Sequence, residues 1–148
     1  MGLLFFMRCL IKRDKPNRPT WLPVVAGIIR RENLVLLGRR PEGGSLAGLW
    51  EFPGGKIEMG ESPEQALARE LQEELGIEAQ VGALKFATCH NYNDVGVLLL
   101  FFEVKYWSGQ PQTQHHSELK WFTADELKTA ALPDANRNVL DRIIALLK

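Results

Sequence analysis

Apolar residues along this chain follow two periods, and the periods mark out its elements. "LPVVAGIIR" (22–30) and "NLVLLGRR" (33–40) are short runs of Val, Ile and Leu joined by a turn over Arg31–Asn33, and they read as strands. "EAQVGALKFATCHNY" (78–92) and "VGVLLLFFEVKYW" (95–107) form a hairpin about Asn93 and Asp94, and "ELKWF" (118–122) is a further short strand. Between them "RPEGGSLAGLWEFPGG" (40–55) is too irregular and Gly-rich for either element, the mark of a loop.

The helical period appears in three places. Ser62 caps a helix, Pro63 takes its first position and Gln65 completes a capping box. Ala66, Leu67, Leu71 and Leu75 form its buried stripe, and Gly76 supplies a left-handed stop. "TADELKT" opens with Thr123 three residues before Glu126, a second capping box. In "ANRNVLDRIIALLK" a helical stripe runs through Val139, Leu140, Ile143, Ile144 and Leu147. Strands with helices between and after them give an α/β fold with a mixed sheet covered on both faces.

Length and charge narrow the choice of function. The chain has 148 residues, the size of one domain with a real core. Lys+Arg and Asp+Glu both number 18, so no general attraction to nucleic acid or acidic lipid is expected. A phosphate-bearing ligand therefore needs a local site, with a cation. The cysteines, Cys9 and Cys89, match no ligand spacing and read as reduced thiols of a cytoplasmic protein. The apolar run Gly2–Met7 is too short for a membrane span. Residues 1–20 read as an arm or extra strand, with Asp14–Thr20 leading into a domain over 21–148.

One stretch carries chemistry. In the helix of "GGKIEMGESPEQALARELQEELGI" (54–77), Glu70, Glu73 and Glu74 stand at i, i+3 and i+4, where like charges repel. Arg69 can pair with Glu73 but cannot neutralise three carboxylates together with Glu61. Hard divalent cations are held by such carboxylates plus waters and substrate phosphates. The adjacent Gly54–Gly55 permits close backbone approach.

The full pattern is Gly55, Glu61, Arg69, Glu70, Leu71, Glu73, Glu74, Gly76 and Ile77 at fixed offsets. It resembles the Nudix box at every defining position. With "AGIIR", "RRPEGG", "WEFPGG" and "LPDAN", the chain from about residue 22 onward resembles the MutT-type branch, which cleans the nucleotide pool. The resemblance implies the Nudix fold, a mixed sheet sandwiched between helices. It also implies Mg²⁺-dependent cleavage of nucleoside triphosphates, oxidised guanine triphosphates among them, to the monophosphate and pyrophosphate, with Mn²⁺ as the alternative ion.

Residue by residue, the resemblance assigns Glu70, Glu73, Glu74 and the Gly54 carbonyl to the ion, with Glu70 or Glu74 activating the water. Arg69 would orient the carboxylates by pairing with Glu73, while Gly55, Glu61 and Gly76 hold the motif's shape. Arg40, Glu51 and Phe52 fall on the substrate side, and Asn136 corresponds to a base-reading asparagine. An amide offers donors and an acceptor to a guanine edge. The other reading of Asn136 is a helix cap or an early-helix surface residue, although Asp134 could cap equally well and leave Asn136 free.

The pattern departs from the branch at one point. A further metal-binding glutamate is expected where His115 stands, which leaves Glu118 as the carboxylate within reach, or a histidine as base. Other readings keep the chemistry and change the substrate to an RNA 5′ end, a nucleotide sugar or a pyrimidine triphosphate. A non-catalytic nucleotide-binding module is a third. "VLLLFFEV" reads as a central strand or as the face of a homodimer.

Overall fold

The computed structural model describes residues 20–148. The arm expected over residues 1–20 lies outside the described residues, except for Thr20, which opens the first strand. The two sheet-forming runs become β1 (Thr20–Arg31) and β2 (Leu34–Arg39), joined by a tight turn in which Glu32 takes a φ of 56°. Within the stretch expected to be a loop lie two short strands, β3 (Trp50–Glu51) and β4 (Gly54–Lys56). Their signal is hidden because backbone pairing, not apolar alternation, defines them: β3 pairs with β2 and β4 with β1, both antiparallel.

The helix of the box is α1 (Pro63–Leu75). The expected hairpin is split in two. β5 (Glu78–Gln80) pairs with β8 (Tyr106–Ser108), whereas β6 (Leu84–Tyr92) pairs with β7 (Val95–Val104) about the Asn93–Asp94 turn. β9 (Glu118–Phe122) follows, then α2 (Ala124–Thr129), capped by Thr123.

The C-terminal stripe belongs to two helices, α3 (Asp134–Arg137) and α4 (Leu140–Leu146). Between them the chain tightens, the Val139 N–H bonding to the Asn136 carbonyl and the Arg142 N–H to the Val139 carbonyl. Asp134 makes no cap; Pro133 holds that position and Asp134 is the exposed first residue of α3.

The seven-stranded sheet runs β3-β2-β1-β7-β6, with β4 on β1 and β9 on β2. Its spine is the parallel pairing of β1 with β7, in register from Thr20 against Val95 to Ile29 against Val104. "VLLLFFEV" is thus a central strand, flanked by β1 and β6.

Strand alternation sends Val25 and Ile29 to one face, where they pack with Leu67, Leu71 and Leu75 of α1. Ala26 and Ile28 go to the other face, onto Leu127, Ala135, Val139 and Ile143 of the C-terminal helices. The sheet is buried between α1 and α2–α4, as the pattern of strands and helices requires.

Candidate active site

α1 begins as its sequence dictates. The Ser62 hydroxyl accepts from the Gln65 N–H at 3.1 Å, and the Gln65 side chain accepts from the Ser62 N–H at 2.8 Å. Gly76 ends the helix at a φ of 68°. The apolar stripe fixes the helix's rotation and so sorts the glutamates. At about 100° per residue, Glu74 falls roughly 20° from Leu67 and Glu73 roughly 120° from it. Glu74 is accordingly buried, the Glu70 side chain is 15% exposed and that of Glu73 58%.

The Gly54–Gly55 turn meets this face. A Cβ at Gly54 would run into the Val25 carbonyl, and one at Gly55 would run into the Glu70 carboxylate. The Gly54 N–H donates to Glu74 Oε2 at 3.3 Å. That single hydrogen bond does not offset the surroundings of Glu74. Burial, then the charges of Glu51 and Glu70, push its carboxyl up to about 8.

Arg69 pairs differently from the sequence expectation. Its main partner is Glu61, gripped by Nε at 3.1 Å and Nη2 at 2.7 Å in a two-pronged fork. Nη1 reaches Glu70 at 2.9 Å and Glu73 only at 3.4 Å, while Nη2 also donates to the Lys56 carbonyl at 3.0 Å. An i,i+4 partner on an exposed helix face competes poorly with a carboxylate that the preceding loop presents head-on. Glu61 also accepts from the Glu58 N–H at 2.8 Å, which joins loop and helix, and the Arg69 bonds hold its carboxyl below the usual range.

Glu51 on β3 is a half-buried acid at the same cleft. Arg40 donates to its Oε2 at 2.8 Å and His116 Nε2 lies 3.2 Å from its Oε1. Burial works against the charge, but these two partners outweigh it and keep the carboxyl below the ordinary range. Arg40 is itself anchored by donating to the Ser45 carbonyl at 2.8 Å.

His116 departs from the surface placement that adjacent histidines in a polar stretch suggest. Its side chain is wholly buried, and a Cβ at Gly38 would collide with its ring. A glycine inside the apolar run of β2 was the available signal, since such a glycine marks close approach of another group. Glu51, His115 and His116 bring one donor atom each to within 4.8 Å of one another.

Asn136 and Phe52 meet at the same cleft. The Phe52 N–H donates to Asn136 Oδ1 at 3.4 Å, which fixes the amide's orientation because only oxygen can accept. Phe52 itself is buried edge-on to Phe101, with ring centroids 5.6 Å apart. A cleft of about 260 Å³ collects Glu74, Gly54, Glu51, Arg40, Phe52, Asn136 and His115. Glu118 is not brought there. It lies opposite Arg39 in the β2–β9 ladder, 55% exposed and 3.9 Å from that guanidinium, beside a separate shallow depression.

The site thus combines an acidic helix face, a glycine turn and a pocket ending in an amide. Residues 24–142 match the NUDIX domain family. The chain is a Nudix hydrolase. This Nudix hydrolase is 41% identical over 127 residues to the CTP pyrophosphohydrolase of Escherichia coli K12, covering 84% of the chain and 93% of the relative. It is 39% identical over 123 residues to the 8-oxo-dGTP diphosphatase of the same organism, covering 82% and 95%.

Among solved structures, the solution structure of the E. coli ORF135 protein superposes with a TM-score of 0.79 at 39% identity, covering 86% of this chain and 91% of that one. The crystal structure of the MutT NUDIX hydrolase from Burkholderia pseudomallei gives 0.75 at 30% identity, covering 82% and 97%. These likenesses place the Nudix hydrolase in the MutT-like branch. Among the described residues no helix is long and apolar enough to cross a membrane.

Proposed function

We propose that this cleft cleaves nucleoside triphosphates to the monophosphate and pyrophosphate, using Mg²⁺ or, in its place, Mn²⁺. The observation that carries the reading is the buried Glu74, crowded by Glu51 and Glu70 and opening on the same cleft as Asn136. A divalent cation fits this donor set. The oxygens are hard, they repel one another, and Arg69 beside them divides its single charge among Glu61, Glu70 and Glu73. Glu70, Glu73, Glu74 and the Gly54 carbonyl would hold it, with Glu118 outside the group. When bound, such an ion neutralises phosphate charge and acidifies a water.

The chain's own residues do the rest. Arg69 holds Glu70 against the glycine turn, so that the acidic face keeps its shape. Burial and the charges of Glu51 and Glu70 raise the Glu74 carboxyl to about 8; a bound cation would favour its ionised form, in which it could accept a proton from the attacking water. Glu70 is the other group able to do so. Arg40, held by Ser45 and Glu51, offers a fixed cation to the phosphates.

On the base side, the Phe52 N–H engages one lone pair of Asn136 Oδ1, and the amide's two N–H donors are free to serve a base in the cleft that Asn136 lines. Donors select a ring carbonyl. An oxidised guanine triphosphate offers one, and this is the first reading. Cytosine offers one as well, and the 41% identity to a CTP pyrophosphohydrolase favours a pyrimidine triphosphate as the second. The reducing cytoplasm, where such triphosphates are made and the exposed Cys89 thiol would persist, is the compartment that suits either.

The deciding experiment measures kcat/KM for 8-oxo-dGTP, dGTP, CTP and dCTP, with Mg²⁺ and with chelator, against Glu74→Gln. Preference for the oxidised guanine supports the first reading and preference for the cytosines the second. Absence of ion-dependent cleavage of any of them would sink both.

A further inference from the structure

At the far end of β1, roughly 17 Å along the strand from Ala26 at about 3.3 Å per residue, lies a second concavity. It measures about 410 Å³ and is lined by Arg30, Arg31, Glu32, Lys105, Tyr106 and Trp107. Its size falls within the range of roughly 300–1,000 Å³ common for small-molecule sites. None of these residues takes part in the chemistry of the catalytic cleft.

Two observations define its character. The first is a shortage of anionic acceptors. The Glu103 carboxylate serves Arg30 at 2.8 Å, Lys105 at 3.3 Å and Lys85 at 3.8 Å, one negative charge against three positive. Arg30 Nε is buried with no acceptor, and Arg31 makes no salt bridge among the described residues. With Glu32 also lining the concavity, the four cations Arg30, Arg31, Lys85 and Lys105 still face only the two carboxylates Glu32 and Glu103, a local positive excess in a chain with no net charge.

The second observation is aromatic. Arg31 lies over the rings of Trp107 and Trp121, at 5.5 and 4.7 Å from their centroids, and the two indoles stack 6.0 Å apart at 25°. This packing holds the guanidinium in place without consuming its N–H groups. Beside it, Tyr106 is 70% exposed, a large flat ring that packing within the chain leaves open.

A fixed guanidinium, a lysine and an open aromatic ring recognise a flat aromatic group bearing phosphate. The geometry points to a second nucleotide-binding site here, taking a base against Tyr106 and its phosphate against Arg31 and Lys105. The shared chemistry is a nucleoside phosphate, whether free in solution or within a single strand. The site is independent of the triphosphate cleavage proposed above and stands if that reading fails.

The test titrates 5′-GMP, and separately a short 5′-phosphorylated single-stranded RNA, into the full chain with chelator present. The indole N–H resonances of Trp107 and Trp121 are followed by NMR at low salt. Both should shift on binding. Tyr106→Ala, at a position whose side chain is largely exposed, should weaken binding by roughly 5- to 150-fold, the loss expected for one base–aromatic stack. Arg31→Gln should weaken it as well, while kcat/KM at the catalytic cleft stays unchanged in Tyr106→Ala.

Comparable binding by GMP and RNA assigns the site to free nucleotides. Tighter RNA binding that falls steeply with salt assigns it to a strand. Silent indole signals with both probes, or undiminished binding by Tyr106→Ala, would overturn the site.

Discussion

The carboxylate of Glu70 occupies the space that a Cβ on Gly55 would fill. The glycine is therefore a steric condition on the acidic face and not only a turn residue. Gly55→Ala should leave the fold intact and push Glu70 out of register. Misplacement of a reacting group by about an ångström can cost on the order of 10²-fold in rate, so kcat should fall by roughly that factor. Circular dichroism alongside steady-state kinetics checks it, and a fully active Gly55→Ala would refute the argument.

The three helix glutamates should not be equivalent. Glu74 is buried and Glu73 is mostly exposed, so Glu74→Gln and Glu70→Gln should each lower kcat far more than Glu73→Gln, with smaller effects on KM. Equal losses across the three would mean that burial does not rank their roles.

Glu74 also makes a pH prediction for the ion-free protein. Its folded pKa, about 8, stands above the ordinary 4.5, so between those values the native state holds a proton that the unfolded chain has released. Stability from this group is complete below about 4.5 and is lost as pH rises through 8. Thermal melts in chelator should show Tm declining over that window, and Glu74→Gln should flatten the decline. Added Mg²⁺ should raise Tm most at the alkaline end.

Arg69 offers a test of the fork to Glu61. Arg69→Lys keeps the charge and loses the two-pronged geometry, so kcat should drop by roughly tenfold with KM little altered. If Glu73 were the important partner, Glu73→Gln would reproduce that loss and Glu61→Gln would not. The distances favour the reverse.

Asn136→Asp and Asn136→Ala separate packing from base reading. The aspartate can still accept from the Phe52 N–H but offers no donors to a ring carbonyl. Both variants should erode discrimination among bases, measured as ratios of kcat/KM, while hydrolysis itself persists. Uniform losses on all nucleotides would remove the base-reading role.

What could be read in advance was whatever a local pattern encodes. The caps of α1 and α2, the stripe of Leu67, Leu71 and Leu75, and the spacing of Glu70, Glu73 and Glu74 are all written within a few residues of each other. β3 and β4 were hidden because their existence depends on partners distant in sequence. The same holds for Arg69, whose partner is set by the path of the loop from Lys56 to Glu61 and not by helical spacing. Glu118 looked available because it stands near His115 in sequence. The β2–β9 register instead sets it opposite Arg39. The burial of His116, in the loop before β9, was legible only through Gly38 on β2.

The bonds of Arg69 reach from the Lys56 carbonyl through Glu61 to Glu70 and Glu73, so one side chain staples the approach loop to the helix. An ion arriving at this face would find the backbone already fixed, with only the glutamate side chains left to turn toward it. Its capture should resemble a key entering a cut lock, fast in onset and accompanied by little change in heat capacity, because almost no chain remains to be ordered.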